Sequence, residues 1–226
     1  MNQNLKDNGG KIVIISSPSG GGKSSIRRRL LYPGNKRKGW RFSVSVTTRP
    51  RRENEKNGRE YRFATYQDFV KRKNGGEFAE SCQVHRYYYG TPRQPLEETL
   101  RDGGVIILDV DVKGAFKLKK QYPMAATIFI LPPNTRELER RLKMRRTEDD
   151  KQLKIRLKRA VSEMKLYKRF EYIVVNENLN TAVDEVKMII GSFHCQRDHF
   201  RFRVKISGQS KDLMRLLTHR KILPFD

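Results

Sequence analysis

The sequence predicts an α/β protein whose parallel sheet is covered by helices on both faces. Residues 12–15, 105–108, 126–131 and 172–175 are short, almost uninterrupted apolar runs, the signature of strands buried on both sides. Stretches with helical spacing lie between and after them, and strands alternating with helices imply parallel pairing. A hydrophobic content of 36% and an aromatic content of 9% over 226 residues suffice for a real core in one large domain.

The elements follow in order. Residues 12–15 read as a buried strand and 24–31 as a helix, after which 34–39 form a glycine-containing basic stretch. Residues 42–46 are a strand candidate, and 50–60 are polar enough to be a loop. Strand candidates at 61–63, 78–84 and 87–91 mark a short mixed region. Buried strands return at 105–108, 126–131 and 172–175. Asn134 or Thr135 is placed to cap a helix carrying Leu138 and Leu142. A longer helix covers 150–168, with Leu153, Leu157, Ala160, Val161 and Met164 on one face. No internal repeat interrupts this order.

The apolar runs are too short to span a membrane. The first ten residues, MNQNLKDNGG, are polar and carry no apolar signal segment. Cys82 and Cys195 are far apart and match no metal spacing, which fits a reducing compartment. A cytoplasmic protein is expected. Lys plus Arg number 49 and Asp plus Glu 25, so the formal charge is +24. That excess points to anionic partners such as nucleotides, nucleic acid or an anionic surface.

One segment carries explicit chemistry. SPSGGGKSS at 17–25 follows a predicted strand and opens a predicted helix, the context of a phosphate-binding loop. Its glycines let backbone N–H groups turn inward on phosphate oxygens, and the helix N-terminus adds its dipole. Lys23 would reach the β- and γ-phosphates and the Ser24 hydroxyl would hold Mg²⁺. The strict pattern has Gly at the first position, where this chain has Ser17. The alternative, a glycine-rich turn that happens to hold a lysine, leaves the strand, the helix and the Lys-Ser register unexplained.

Three further segments are ambiguous by themselves. GGVIILDVD at 103–111 is a buried strand ending in carboxylates. Asp109 could support Mg²⁺ or merely cap the next helix. The arginines of FSVSVTTRPRR at 42–52 suit bidentate capture of phosphate, although such runs are commonly solvated surface. EFAE at 77–80 and YYYGT at 87–91 read first as strand with packing on one side.

Taken in order, these segments resemble the guanylate kinase family, which phosphorylates GMP with ATP. The match is carried by PSGGGKSS at 18–25, SVSVTTRPRR at 43–52, NGREYRF at 57–63, EFAE at 77–80 and YYYGT at 87–91. It continues through LDVDVKGA at 108–115, IFILPP at 128–133, RRLKMRRTEDD at 140–150, RLKRAVSEM at 156–164 and YIVVNENL at 172–179. The resemblance spans residues 10–190. It implies a P-loop nucleoside monophosphate kinase-like fold: a parallel core (10–41, 96–139 and 159–190), a small mixed GMP-binding sub-domain (42–95) and a helical lid (140–158).

The resemblance also implies roles. Ser19, Gly20, Gly21, Gly22, Lys23, Ser24, Ser25 and Arg141 would bind ATP, with Mg²⁺ on Ser24 and Asp109. Ser45, Glu80 and Thr91 would face the guanine base. Arg49, Arg52, Tyr61 and Tyr89 would hold the GMP phosphate, and Asp109 would lie near GMP and the metal, with Asp111 a weaker candidate. Lys23, Asp109, Arg145 and Arg156 would carry catalysis. A carboxylate at Glu80 accepts from both guanine N1–H and the exocyclic amine, a pair of donors that adenine lacks.

The chain departs from the family at Ser17, at Asn54 and at Arg146, the last two in place of glycines. Arg146 adds charge and stiffness to the lid. Residues 191–226 lie beyond the match; HFRFRVKI at 199–206 alternates like a strand and LMRLL at 213–217 suggests a helical turn. A silent scaffold of this family would be expected to lose Lys23, Arg49, Arg52 or Glu80, and all four are present. Nucleic acid enters only as non-specific, charge-driven binding. Use of dGMP and self-association stay open.

Overall fold

The computed structural model describes residues 9–31, 39–53, 55–84, 86–144 and 150–192. The chain forms two compact units, Met1–Ser16 with Leu31–Thr127, and Ser17–Leu30 with Ile128–Asp226.

In the first unit, β1 (Lys11–Ser16), β2 (Trp40–Phe42) and β7 (Val105–Asp109) pair in parallel, with β7 between the other two. Val13, Ile14 and Val105 through Leu108 are fully buried, as continuous apolar runs require of a parallel sheet. The helices of this unit are α2 (Tyr66–Asn74), α3 (Arg93–Arg101) and α4 (Val112–Gln121). A mixed sheet has the order β4-β3-β6-β5. Its strands are β3 (Val46–Thr47), β4 (Arg62–Phe63), β5 (Phe78–Val84) and β6 (Tyr87–Pro92).

The mixed sheet has two unlike faces because side chains alternate along each strand. Val46, Phe78 and Tyr88 face Phe69 of α2, forming a small apolar core. Phe69 and Phe78 stack at 4.8 Å. A Cβ at Gly90 would stand 2.8 Å from the Phe78 ring, so the glycine of YYYGT makes room for that core. The register puts Glu80 opposite Thr91 and Tyr89 opposite both Cys82 and Thr47. These residues share the other face.

In the second unit, α1 (Lys23–Leu30) follows the glycine-rich loop and buries Ile26 and Leu30 completely. Here β8 (Ala126–Leu131) and β9 (Tyr172–Val175) pair in parallel. Their helices are α5 (Thr135–Lys143), α6 (Asp150–Met164) and α7 (Leu179–Ser192). Among the described residues, no helix is long and apolar enough to cross a membrane.

Most expected elements appear within a residue or two, and four details differ. The expected strand at 42–46 is two strands: Phe42 closes β2, Val46 opens β3, and Ser43–Ser45 carry the chain from one sheet to the other. The helix expected to reach 168 ends at Met164 and tightens into a 3₁₀ segment, Lys165–Arg169. There the Phe170 ring must turn to stack on Phe129, 4.5 Å away. No expectation covered α2, a mostly polar helix that buries one residue, Phe69. Of the two proposed caps for α5, Asn134 is the one used, its side chain accepting from Glu137 N–H at 2.8 Å. The stretch at 34–38, Asn54, Arg145, Arg146 and the segments at 199–206 and 213–217 lie outside the described residues.

Candidate active site

The residues expected at the site fall into two groups, one in each unit. In the second unit the phosphate loop is shaped by backbone geometry. Gly20 and Gly22 have positive φ, 86° and 97°, a region that disfavours residues with a Cβ. Space is equally restrictive, since a Cβ at Gly22 would run into Asn176 Nδ2. Ser17, where the strict pattern has Gly, turns its hydroxyl onto the Pro18 carbonyl at 3.0 Å.

Side chains from α5, α6 and the end of β9 hold this loop. Asn176 Nδ2 donates to the Gly21 carbonyl at 3.1 Å, and Arg141 Nη1 donates to the same oxygen at 3.4 Å. Arg141 Nη2 also donates to the Asn176 carbonyl at 3.0 Å. A trans peptide points its C=O and N–H in opposite directions. Fixing the Gly21 carbonyl on Asn176 therefore turns the Gly22 N–H away from it. Arg141 is steadied by Glu137 at 2.7 Å. The bond from Arg140, together with Arg141 and against some burial, brings the Glu137 carboxyl down to about 2.

α6 reaches the loop at Ser19. Its hydroxyl accepts from Arg156 Nη2 at 3.2 Å, and its N–H donates to Glu163 Oε2 at 3.2 Å. Glu163 Oε1 in turn takes Arg159 Nε at 3.0 Å. Lys23, Ser24 and Ser25 form the first turn of α1. Of the residues expected on the ATP side, Ser19 to Ser25, Arg141 and Arg156 are thus gathered in one unit, whereas Arg145 lies outside the described residues. Asn176 and Glu163 were not singled out from sequence; their chain distance from the loop gives no local signal.

The first unit carries the other group, on the polar face of the mixed sheet. Glu80 is 7% exposed, and its Oε1 accepts from the Thr91 hydroxyl at 3.0 Å. Its Oε2 is buried with no hydrogen-bond partner among the described residues. Burial pushes the Glu80 carboxyl up; Thr91 and Lys117 pull it down, Asp111 pushes it up, and it settles at about 7. Ser45 is buried and directly precedes Val46, whose register partner is Gly90.

Beside it, Asp111 caps α4. Its Oδ1 accepts from Gly114 N–H at 2.9 Å and from Cys82 Sγ at 3.2 Å. The cap considered for Asp109 therefore belongs to Asp111, two residues on, leaving Asp109 as the end of β7. A Cβ at Gly114 would lie 3.0 Å from Asp111 Oδ1 and 3.3 Å from Glu80 Oε2, so this glycine lets the head of α4 approach both carboxylates. Burial, with Asp111 and Glu80 nearby, pushes the Cys82 thiol far above its usual range. It serves as a weak donor and not as a nucleophile.

At the other end of this face lie Arg49, Tyr61 and Tyr89. The Arg49 guanidinium sits 5.4 Å from the Tyr61 ring centre, and Tyr61 meets Tyr89 edge-on at 5.9 Å. Arg52 is exposed on the adjoining loop. The sheet thus brings Glu80, Thr91, Tyr89, Tyr61 and Arg49 together, a buried carboxylate at one end and cationic and phenolic groups at the other.

Among the described residues, no three His, Cys, Asp or Glu side chains group into a metal cage. The Ser24 hydroxyl in the second unit and the Asp109 carboxylate in the first are each oxygen donors of the kind that Mg²⁺ takes.

A guanylate kinase family model matches residues 9–193. The guanylate kinase of Thermotoga maritima is 38% identical, the alignment covering 89% of this chain and 99% of that protein. That of Paraburkholderia xenovorans is 40% identical over 81% of this chain and 80% of its own. The crystal structure of the Anaplasma phagocytophilum guanylate kinase superposes with a TM-score of 0.70 at 32% identity, covering 83% of this chain and 87% of that one.

Proposed function

Because the chain belongs to the guanylate kinase family, we propose that it moves the γ-phosphoryl group of ATP onto GMP in line, giving ADP and GDP, in cytoplasmic purine nucleotide metabolism. The observation that carries the choice of acceptor is Glu80, a buried carboxylate with one oxygen on Thr91 and the other unmet. Guanine supplies two adjacent donors to such a group. Adenine would leave it unpaired in a buried site, which costs about 1–3 kcal/mol or more.

The roles divide by chemistry. Glu80, Thr91 and Ser45 read the base. Arg49, Arg52, Tyr61 and Tyr89 take the phosphate. The glycine loop and the N-terminus of α1 bind the ATP phosphates, with Lys23 on the β- and γ-oxygens. Ser24 and Asp109 are the oxygens assigned to Mg²⁺, which would offset the charge of the ATP phosphates. A GMP phosphate oxygen is already anionic, so the attack needs no general base. The bond to the β–γ bridging oxygen breaks and its electron pair leaves with ADP. The residues therefore act by alignment and charge neutralisation, with Arg156 and Arg145 assigned to the transferring group.

A coupled assay of ADP release with GMP, AMP, CMP and UMP tests this. GMP should be strongly preferred. No turnover with GMP, or AMP turned over as fast, would sink the reading.

A further inference from the structure

The loop between β3 and β4 contains an ion pair that the roles above do not use. Arg49 Nη2 donates to both carboxylate oxygens of Glu55, at 2.7 and 2.9 Å. Both side chains are mostly buried, 11% and 13% exposed. Glu55 does more than pair with Arg49. Its Oε2 also accepts the Arg52 backbone N–H at 2.9 Å, and its own N–H donates to the Arg52 carbonyl at 3.0 Å. Its carbonyl accepts from Arg51 Nη1 at 2.9 Å. Arg49 Nη1 is held separately by the Pro50 carbonyl at 2.7 Å. One glutamate thus touches three successive arginines of TTRPRR or their backbone.

We propose that Glu55 is a positioning residue for the GMP phosphate, fixing the Arg49 guanidinium and the Arg52 backbone before the phosphate arrives. The inference rests on the assignment of Arg49 and Arg52 to that phosphate. Two arginines three residues apart repel, and on a flexible loop each long side chain has many rotamers to lose on binding. A carboxylate between them offsets that repulsion and selects one arrangement. The Glu55 contacts use one nitrogen of the Arg49 fork and the Pro50 carbonyl another, leaving the Nε–H uncommitted by either. The Tyr61 ring closes one side, with Phe63 5.8 Å from the guanidinium carbon.

The charge balance agrees with the geometry. Burial lowers the Arg49 pKa, but Glu55 and Tyr89 more than restore it, and the net shift is upward. Burial raises the Glu55 pKa, but Arg49 and the Arg52 N–H and charge outweigh it, and the net shift is downward. Glu55 therefore stays ionised at neutral pH. A carboxylate there also repels an incoming phosphate, so positioning and competition predict opposite effects of removing it.

The test measures binding of GMP, guanosine and ATP to wild type and Glu55→Gln by calorimetry, with GMP and ATP kinetics alongside. GMP binding and KM should worsen about tenfold, the factor set by ~1.4 kcal/mol of lost interaction. Guanosine and ATP binding should be unchanged, since neither uses Arg49. Glu55→Asp, which keeps the charge on a shorter arm, should fall between the two and serves if Glu55→Gln folds poorly. Equal GMP affinity in wild type and variants would overturn the positioning role and leave the kinase reading standing. Tighter GMP binding by Glu55→Gln would overturn it in favour of a competing carboxylate. Parallel losses for GMP and guanosine would reduce Glu55 to a structural residue. A wild type that binds no GMP would overturn both readings.

Discussion

In the proposed reading, the phosphate loop and the polar face of the mixed sheet face opposite recognition problems. In the loop the groups proposed to meet ATP are mostly backbone, and the side chains around it hold one another. Arg141 is held by Glu137, the Gly21 carbonyl by Asn176, and Glu163 by Arg159. On the sheet, the proposed contacts rest on side chains, and one of them, Glu80, keeps a buried oxygen without a partner among the described residues. Phosphate is common to every nucleotide, so a scaffold of amides suffices. A base is distinguished by its donors and acceptors, so its site must leave a specific group wanting.

Lys23→Ala is the strongest way to break the comparison. Loss of a charge on the transferring phosphates should lower kcat by a factor on the order of 10² to 10³, with the melting temperature unchanged. A small effect would mean that the backbone of the loop alone does the work. Glu80→Gln should raise KM for GMP on the order of 10²-fold while leaving KM for ATP within about twofold. Equal effects on both nucleotides would erase the division between the two regions.

A pH titration sharpens the contrast. In the proposed reading guanine donates to ionised Glu80, whose carboxyl titrates at about 7. GMP affinity should therefore fall about tenfold from pH 8 to pH 6 as the carboxylate takes up its proton, whereas ATP affinity lacks this contribution. Glu80→Gln should leave only the dependence due to the GMP phosphate, whose second ionisation lies near pH 6. Stability without ligand runs the other way. With its pKa raised above 4.5 in the folded state, Glu80 contributes most below pH 4.5, and that contribution is lost as pH rises through about 7.

The smallest effect belongs to Asp111→Asn. Asparagine caps a helix about as well as aspartate, so stability should hardly change. Removal of a like charge beside Glu80 should move the midpoint of the GMP titration to lower pH. An unmoved midpoint would show that Asp111 has no part in setting it.

What the sequence reveals follows from chain distance. The phosphate loop is legible because its chemistry is contiguous and lies between a buried strand and a helix. The strands at 78–84, 126–131 and 172–175 are legible because each is bounded by turns and built of β-forming or apolar residues. Ser45, Glu80 and Thr91 take on a role only through the ordered family resemblance, since nothing local marks them as neighbours. Asn176, Glu163 and Glu55 act through hydrogen bonds, and for the first two the partners lie more than a hundred residues away. Asp109 and Asp111 show the limit within a motif: both follow the same apolar run, and only the geometry of α4 tells which one caps that helix.

The pairing of Gly21 with Asn176 spans 155 residues. During synthesis, β1 and the glycine loop leave the ribosome early, yet the side chain that orients the loop's peptide is made near the end of the family-matched region. The loop must wait, unseated, while nearly the whole chain is translated at about 5–20 residues per second. Contacts of such high sequence separation are slow to form. A nascent chain stalled before residue 176 would hold the complete phosphate-binding motif without the geometry that makes it bind, and a premature stop there would yield a protein that matches the motif and lacks the activity.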